Sequence, residues 1–130
     1  RTLAAELGIA DRCRFLGRAD PLPALRAADL FVLPSHYEGL SVAAVEALST
    51  GLPAVLTQIP GNEDLASLST SITWSDADAI GLSLAIDRAT ASLERRPFAE
   101  LKDQHSRVRA RHSPEAGSSS YARLYRDARS

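Results

Sequence analysis

Residues 30–57 read LFVLPSHYEGLSVAAVEALSTGLPAVLT, and this stretch decides the fold class. It opens with an apolar run that ends at Pro34, and a second apolar run follows Pro53, so each run reads as a buried strand. Between the two runs, Ser41 is placed to cap a helix that Gly51 ends. Apolar strands joined by a helix are typical of a parallel sheet covered on both faces. The stretch therefore predicts one β-α-β unit of an α/β fold.

Strand and helix patterns alternate on both sides of this unit. A helix-like opening stops at Gly8, and residues 12–16 read as a short strand. Downstream of the predicted helix over residues 42–49 and the strand over residues 54–57, a weak strand is predicted over residues 72–74. We expect a Rossmann-like parallel sheet flanked by helices.

The last part of the chain shows no further strand. The spacing of Ser75 to Asp78 suits a capping arrangement before a long helix. Helical spacing then continues to a break at Pro97 and resumes in charged segments. The chain is therefore predicted to be one domain over residues 1–130, with an α/β part over about 1–75 and C-terminal helices over about 76–130.

Composition excludes several classes of protein. The 130 residues are 45% apolar and 24% charged, which suits one soluble globular domain. Lys and Arg number 15 against 16 Asp and Glu, so no excess of positive charge favours nucleic-acid binding. The single cysteine, Cys13, excludes an internal disulfide, and no metal-binding pattern surrounds it. No apolar run approaches the roughly 20 residues of a membrane span. We expect a cytoplasmic protein.

Two features bear on the surroundings of the domain. The chain begins at Arg1 directly before a helical pattern with no start signal, so we expect a fragment whose preceding domain is missing. Residues 94–111 carry mixed charge that turns basic toward Arg111. This pattern favours a solvated helix face, and the alternative is a surface that binds a partner or associates peripherally with an anionic inner membrane face.

Two glutamates in the central stretch are the first candidates for chemistry. Glu38 lies in the predicted loop after a parallel strand, and Glu46 lies eight positions later, inside the helix that the loop enters. Open α/β sheets bind ligands at this edge, so both carboxylates are expected to face one crevice. An ionised Glu accepts two hydrogen bonds and matches vicinal hydroxyls of a sugar or ribose. Spacing alone leaves the alternative that Glu46 is a solvated helix residue.

The predicted helix start between the glutamates suits an anion. Gly39 lets a ligand approach the backbone closely. The N–H groups of Leu40, Ser41 and Val42 would present partial positive charge to a phosphate. A site that binds a phosphate between two pairs of vicinal hydroxyls matches the chemistry of a nucleotide sugar. His36 is close enough in sequence to suggest acid–base chemistry, but we predict a loop residue beside the site.

The pattern resembles the C-terminal domain of the group 1, family 4 retaining glycosyltransferases, which have the GT-B fold. The resemblance covers roughly residues 15–65 and rests on residues 15–17, 25–35, 38–39, 46–48 and 51–55. In that family the paired glutamates form an E-x7-E motif. The resemblance implies transfer of a sugar, with retention, from a nucleotide diphosphate sugar to a hydroxyl acceptor in a glycan or lipid.

The resemblance also implies roles for individual residues. Glu38 would act as the catalytic-site carboxylate that binds donor-sugar hydroxyls, and Glu46 would bind the ribose hydroxyls. The backbone from Gly39 to Val42 would meet the donor phosphate or sugar. Arg18 and Ala19 would lie against the base, largely through backbone atoms.

The sequence departs from the family pattern at two places. Ser41 stands where Pro or Gly is common, and residues 60–63 replace a Gly-Gly-rich turn. The cationic pair that neutralises the diphosphate and the N-terminal acceptor domain would lie before Arg1. No metal or other cofactor is expected, because cationic side chains and helix N-termini can neutralise the diphosphate. A sugar-nucleotide epimerase of the GT-B type and a non-catalytic remnant stay as alternatives.

Overall fold

The computed structural model describes residues 1–67, 69–93 and 110. Within these residues a sheet has three parallel strands in the order β1 (Phe31–Leu33), β2 (Ala54–Thr57) and β3 (Ile72–Ser75). The helices are α1 (Thr2–Glu6), α2 (Leu22–Ala27), α3 (Val42–Ser49), α4 (Pro60–Glu63) and α5 (Ala79–Leu93), with 3-10 turns at Ala10–Arg12 and Asp64–Ser67. The predicted α/β class with a Rossmann-like sheet is confirmed.

Helices cover both faces of the sheet. Ala54 and Leu56 of β2 pack with Ala44 and Leu48 of α3 on one face. Val55 points the other way and packs with two buried alanines of α5, which are Ala85 and Ala89. Successive strand residues point to opposite faces, so a fully buried strand needs a helix on each side. All four residues of β2 are buried, whereas β1 at the sheet edge is half-buried.

The helix α3 begins and ends where the sequence predicts. The Ser41 hydroxyl accepts a hydrogen bond from the Ala44 N–H at 3.3 Å, which satisfies one of the free N–H groups of the first turn. At the other end, Gly51 has a φ of 84°, a left-handed conformation that glycine adopts without steric cost. The chain then turns into β2, so the β-α-β unit of residues 30–57 is confirmed.

The predicted strand over residues 12–16 is wrong. A 3-10 turn occupies Ala10–Arg12, and Cys13 is extended but belongs to no strand. Phe15 and Leu16 are exposed. A strand is defined by hydrogen bonds to a neighbouring strand, and none of the strands in the described residues pairs with this segment. The apolar pattern alone therefore does not make it a strand.

The predicted capping role of Ser75 is also wrong. Ser75 is the last residue of β3, where it pairs with Thr57 of β2. The cap is Asp78, whose Oδ1 accepts a hydrogen bond from the Gly81 N–H at 2.7 Å. The sheet thus extends one residue further than the sequence indicates, and α5 starts after it.

Apolar side chains hold the end of the described chain against the sheet, and part of the predicted helical region lies outside the described residues. Trp74 packs against the core on one face of the sheet, and Leu82 and Ile86 of α5 pack on the other. The charged segments predicted after Pro97 lie outside the described residues, apart from residue 110. In residues 1–67 and 69–93 no helix combines the length and apolar character that a membrane crossing needs.

Mutation can distinguish Asp78 from Ser75 as the residue that caps α5. We expect Asp78→Ala to lower the free energy of unfolding by about 1 kcal/mol, because it removes the cap. Ser75→Ala is expected to leave it unchanged or raise it slightly, because the buried Ser75 hydroxyl has no hydrogen-bond partner among the described residues. Urea denaturation of both variants measures the difference. A larger loss in Ser75→Ala than in Asp78→Ala would contradict the assignment of the cap.

Candidate functional site

The carboxyl ends of the three strands meet at one edge of the sheet. β1 leads through residues 34–41 into α3, β2 leads into α4, and β3 leads into α5. A cavity of about 160 Å³ lies at this edge between the end of β2 and the loops after β1 and β3, and its lining includes Pro34, His36, Thr57, Asp76 and Asp78. Parallel α/β sheets bind ligands at this edge, outside the strand ends.

Glu38 lies in the loop after β1, and its carboxylate is held in place. The side chain is half-buried, and the Ser35 hydroxyl donates a 2.7 Å hydrogen bond to Glu38 Oε1. A hydrogen bond to an ionised acceptor is stronger than one between neutral groups. It restricts the rotamers of Glu38 before any ligand binds. Sequence reasoning did not single out Ser35, although a hydroxyl three residues before a loop carboxylate is a recognisable signal.

The start of α3 follows Glu38 directly. Gly39, Leu40 and Val42 are exposed to solvent. Ser41 between them is buried, and its hydroxyl is used to cap α3. The predicted anion site stays a prediction.

Glu46 faces away from the sheet and lines a groove. The groove encloses about 730 Å³ between α3 and the segment that contains α2. Its wall on α3 consists of Val42, Val45, Glu46 and Ser49, which share one helix face because their spacing is three or four residues. The opposite wall includes Asp20, Leu22, Leu25 and Arg26. Glu46 is exposed, as the alternative of a solvated helix residue predicts, but its side chain lines a concave surface.

The predicted site residues fall into separate groups. Val42 and Glu46 line the same groove, whereas Glu38 is not part of its described lining. Arg18 and Ala19 are exposed in the loop just before Asp20, which belongs to the opposite wall, and they are not part of the lining of the groove. The expectation that both glutamates face one crevice is not tested by these contacts. His36 is exposed and lines the cavity of about 160 Å³ together with Asp76 and Asp78, and it is not part of the lining of the groove.

A second groove of about 750 Å³ lies near the amino ends of the strands. Its lining includes Pro53, which precedes β2, and Leu93, the last residue of α5. It includes none of the predicted site residues. The two grooves have similar volumes, so volume does not indicate which of them binds a ligand. The groove between α2 and α3 differs in containing the carboxylate of Glu46.

One glycine contact was not recognised from the sequence. Gly61 of α4 packs directly against the backbone of Glu38 and Gly39. A Cβ atom on Gly61 would overlap the Glu38 carbonyl oxygen and lie 2.6 Å from its carbon. In contrast, a Cβ on Gly39 would meet nothing within 4 Å. Within this protein, the close approach therefore depends on Gly61.

No group of three or more His, Cys, Asp and Glu side chains in residues 1–67 and 69–93 is arranged to hold a metal ion. The independence from metal that the resemblance implies stays a prediction.

Comparison with known proteins identifies the family. The family model for group 1 glycosyl transferases matches residues 1–91. The lipopolysaccharide core biosynthesis mannosyltransferase LpsB of Rhizobium meliloti is 35% identical over 94 residues, which are 72% of this chain and 27% of that protein. The D-inositol 3-phosphate glycosyltransferase of Mycolicibacterium smegmatis is 36% identical over 135 aligned residues, covering 98% of this chain and 30% of that protein.

The fold comparison agrees. A sucrose-phosphate synthase from Thermosynechococcus elongatus superposes with a TM-score of 0.83 and 28% identity over 97% of this chain, which is 32% of that structure. The chain thus spans about a third of the length of the proteins that it matches. The predicted resemblance is confirmed. Because the family model covers well over half of the chain, the protein belongs to the group 1 glycosyltransferases, as a C-terminal domain of the GT-B fold.

Proposed function

We propose that this chain is the donor-binding part of a retaining glycosyltransferase that moves a sugar from a nucleotide diphosphate sugar to a hydroxyl acceptor. The observation that carries the proposal is the exposed carboxylate of Glu46 in a groove of about 730 Å³. This volume is in the range of small-molecule sites. An acceptor-only carboxylate in such a groove suits a pair of vicinal hydroxyls, as on a ribose.

Glu38 supplies the second contact in this proposal. The hydrogen bond from Ser35 uses one lone pair of Glu38 Oε1. The remaining lone pairs of the carboxylate accept hydrogen bonds from hydroxyls of the donor sugar. Between the two glutamates, the turn at Gly39 to Val42, in which all residues but Ser41 are exposed, brings the positive end of the α3 dipole toward the diphosphate. Arg18 and Ala19 contact the base through their backbone. The order along α3 is then sugar, phosphate and ribose.

The proposed reaction is a transfer on one face of the sugar. The bond between the anomeric carbon and the phosphate oxygen breaks, and the acceptor oxygen forms its bond to the same face. The acceptor proton passes to the leaving phosphate oxygen. Charge on that phosphate is stabilised by the N-terminus of α3 together with cationic side chains outside this chain. Catalysis then consists of positioning and charge stabilisation, without a metal ion.

The acceptor and the partner domain are part of the same proposal. The relatives are about three times as long as this chain, so we assign acceptor binding to a preceding GT-B domain. The relatives include a mannosyltransferase of lipopolysaccharide core biosynthesis and a glycosyltransferase for D-inositol 3-phosphate. We therefore propose a glycan, lipid or small-molecule hydroxyl as acceptor, with the protein in the cytoplasm and at the inner membrane face when the acceptor is a lipid.

Removal of the Glu46 carboxylate tests whether the groove binds the ribose. Saturation-transfer NMR of the chain with UDP-, GDP- and ADP-sugars is expected to show roughly millimolar binding to one of the three bases. Glu46→Ala is expected to weaken it at least about tenfold, because the ribose hydroxyls lose their acceptor. Glu6→Ala removes a similarly exposed helical glutamate and serves as the matched control. Equal binding by both variants would refute the groove as the ribose site.

The two glutamates are expected to differ in which part of the donor they recognise. Glu38→Ala is expected to weaken binding of the nucleotide sugar and to leave binding of the nucleoside diphosphate unchanged, because Glu38 contacts only the sugar. Glu46→Ala is expected to weaken both ligands, because both contain the ribose. Titrations of each variant with the two ligands measure the split. Loss of nucleoside diphosphate binding in Glu38→Ala would contradict the order of contacts along α3.

The hydrogen bond from Ser35 gives a smaller expected effect. Ser35→Ala leaves the Glu38 carboxylate in place but frees its rotamers. We expect a loss of about 1 kcal/mol in nucleotide-sugar binding, which is about fivefold in Kd, and no loss for the nucleoside diphosphate. The same titrations check it. An unchanged Kd for the nucleotide sugar would show that Ser35 does not preorganise Glu38.

A further inference from the structure

The turn after β2 is fixed to the core on one side and touches the Glu38 loop on the other. Ile59 and Leu65 are buried, and Asn62 between them is fully buried. The Asn62 side-chain amide donates to the Thr57 carbonyl at 3.0 Å, and its backbone N–H donates to the Ile59 carbonyl at 2.9 Å. These contacts tie α4 to the end of β2. The turn therefore has little freedom to retreat from a neighbour.

Gly61 is the point of contact between this turn and the loop. A Cβ atom there would overlap the Glu38 carbonyl oxygen, and it would lie 2.9 Å from the Gly39 carbonyl oxygen. Both of these neighbours are backbone atoms, so no side-chain rotation relieves the overlap. Of the two segments in contact, the turn is fixed to the core, whereas the loop at Gly39 and Leu40 is exposed to solvent. Any added atom at position 61 must therefore displace the loop.

We infer that Gly61 is a positioning residue for Glu38. The inference rests on the proposed function, because the consequence of displacing Glu38 is weaker donor binding. Ser35 restrains the side chain of Glu38, and the close approach of Gly61 restrains its backbone. The two restraints come from different segments, β1's loop and α4. The second of them exists only if residue 61 has no side chain.

Gly61→Ala tests the inference against a matched glycine. Gly8→Ala also strains the backbone, because Gly8 has a φ of 65°, but Gly8 follows α1 and an added Cβ there would meet nothing within 4 Å. Both variants are expected to change stability. In 1H–15N spectra of the chain, only Gly61→Ala is expected to shift the amide signals of Glu38 and Gly39. It is also expected to raise the Kd for the nucleotide sugar about tenfold, more than for the nucleoside diphosphate, whereas Gly8→Ala leaves the Kd unchanged.

The outcomes separate this inference from the proposed function. Unshifted Glu38 and Gly39 signals in Gly61→Ala, or a Kd no higher than in Gly8→Ala, would overturn the role of Gly61. If the parent chain binds none of the nucleotide sugars, the proposed function fails, and the amide signals alone decide whether Gly61 positions the loop. If Gly61→Ala does not fold, Asn62→Ala loosens the turn without adding an atom near Glu38. It is expected to increase the backbone mobility of Glu38 and Gly39 in 15N relaxation, and unchanged relaxation would overturn the inference.

Discussion

The burial of β2 between two helices is the constraint on which the described structure depends. Its four residues, Ala54–Thr57, are all buried and pair with a parallel strand on each side. Complete burial of a side chain such as Val55 or Leu56 contributes about 1.5–3 kcal/mol. Because successive strand residues point to opposite faces, Val55 packs against α5 and Leu56 packs against α3. The positions of both helices, and of the loops that precede them, follow from this one strand.

The candidate site is a consequence of that parallel arrangement. Because the three strands run in the same direction, the loops that follow them emerge at the same edge. The loop after β1 carries Glu38, and the turn after β2 carries Gly61, which touches it. These two residues are 23 positions apart in the chain, yet their backbones are in contact. The precision of the Glu38 position therefore comes from packing between loops rather than from either loop alone.

The two glutamates have different environments, which suits different tasks. Glu38 is half-buried and hydrogen-bonded to Ser35, so its geometry is restricted before a ligand arrives. Glu46 is exposed on the groove side of α3, with freedom to adjust to a ligand. In the proposed function, the restricted carboxylate contacts the sugar that reacts, and the freer one contacts the ribose. Preorganisation is most useful near the reacting atoms, because small displacements there reduce the rate strongly.

The sequence by itself determined the α/β class, the bounds of α3 and β2, and the two glutamates as candidates. The predictions of the fold class and of α3 and β2 succeeded because local signals, such as the Ser41 cap, the Gly51 turn and the apolar run before Thr57, act within a few residues. Tertiary structure decided the rest. Residues 12–16 are not a strand because no described strand pairs with them, and Ser75 is not a cap because β3 pairs with β2 through that residue. The contact of Gly61 with Glu38 was likewise invisible in the sequence, since hydrogen-bond pairing and close packing depend on neighbours in space, which local patterns do not specify.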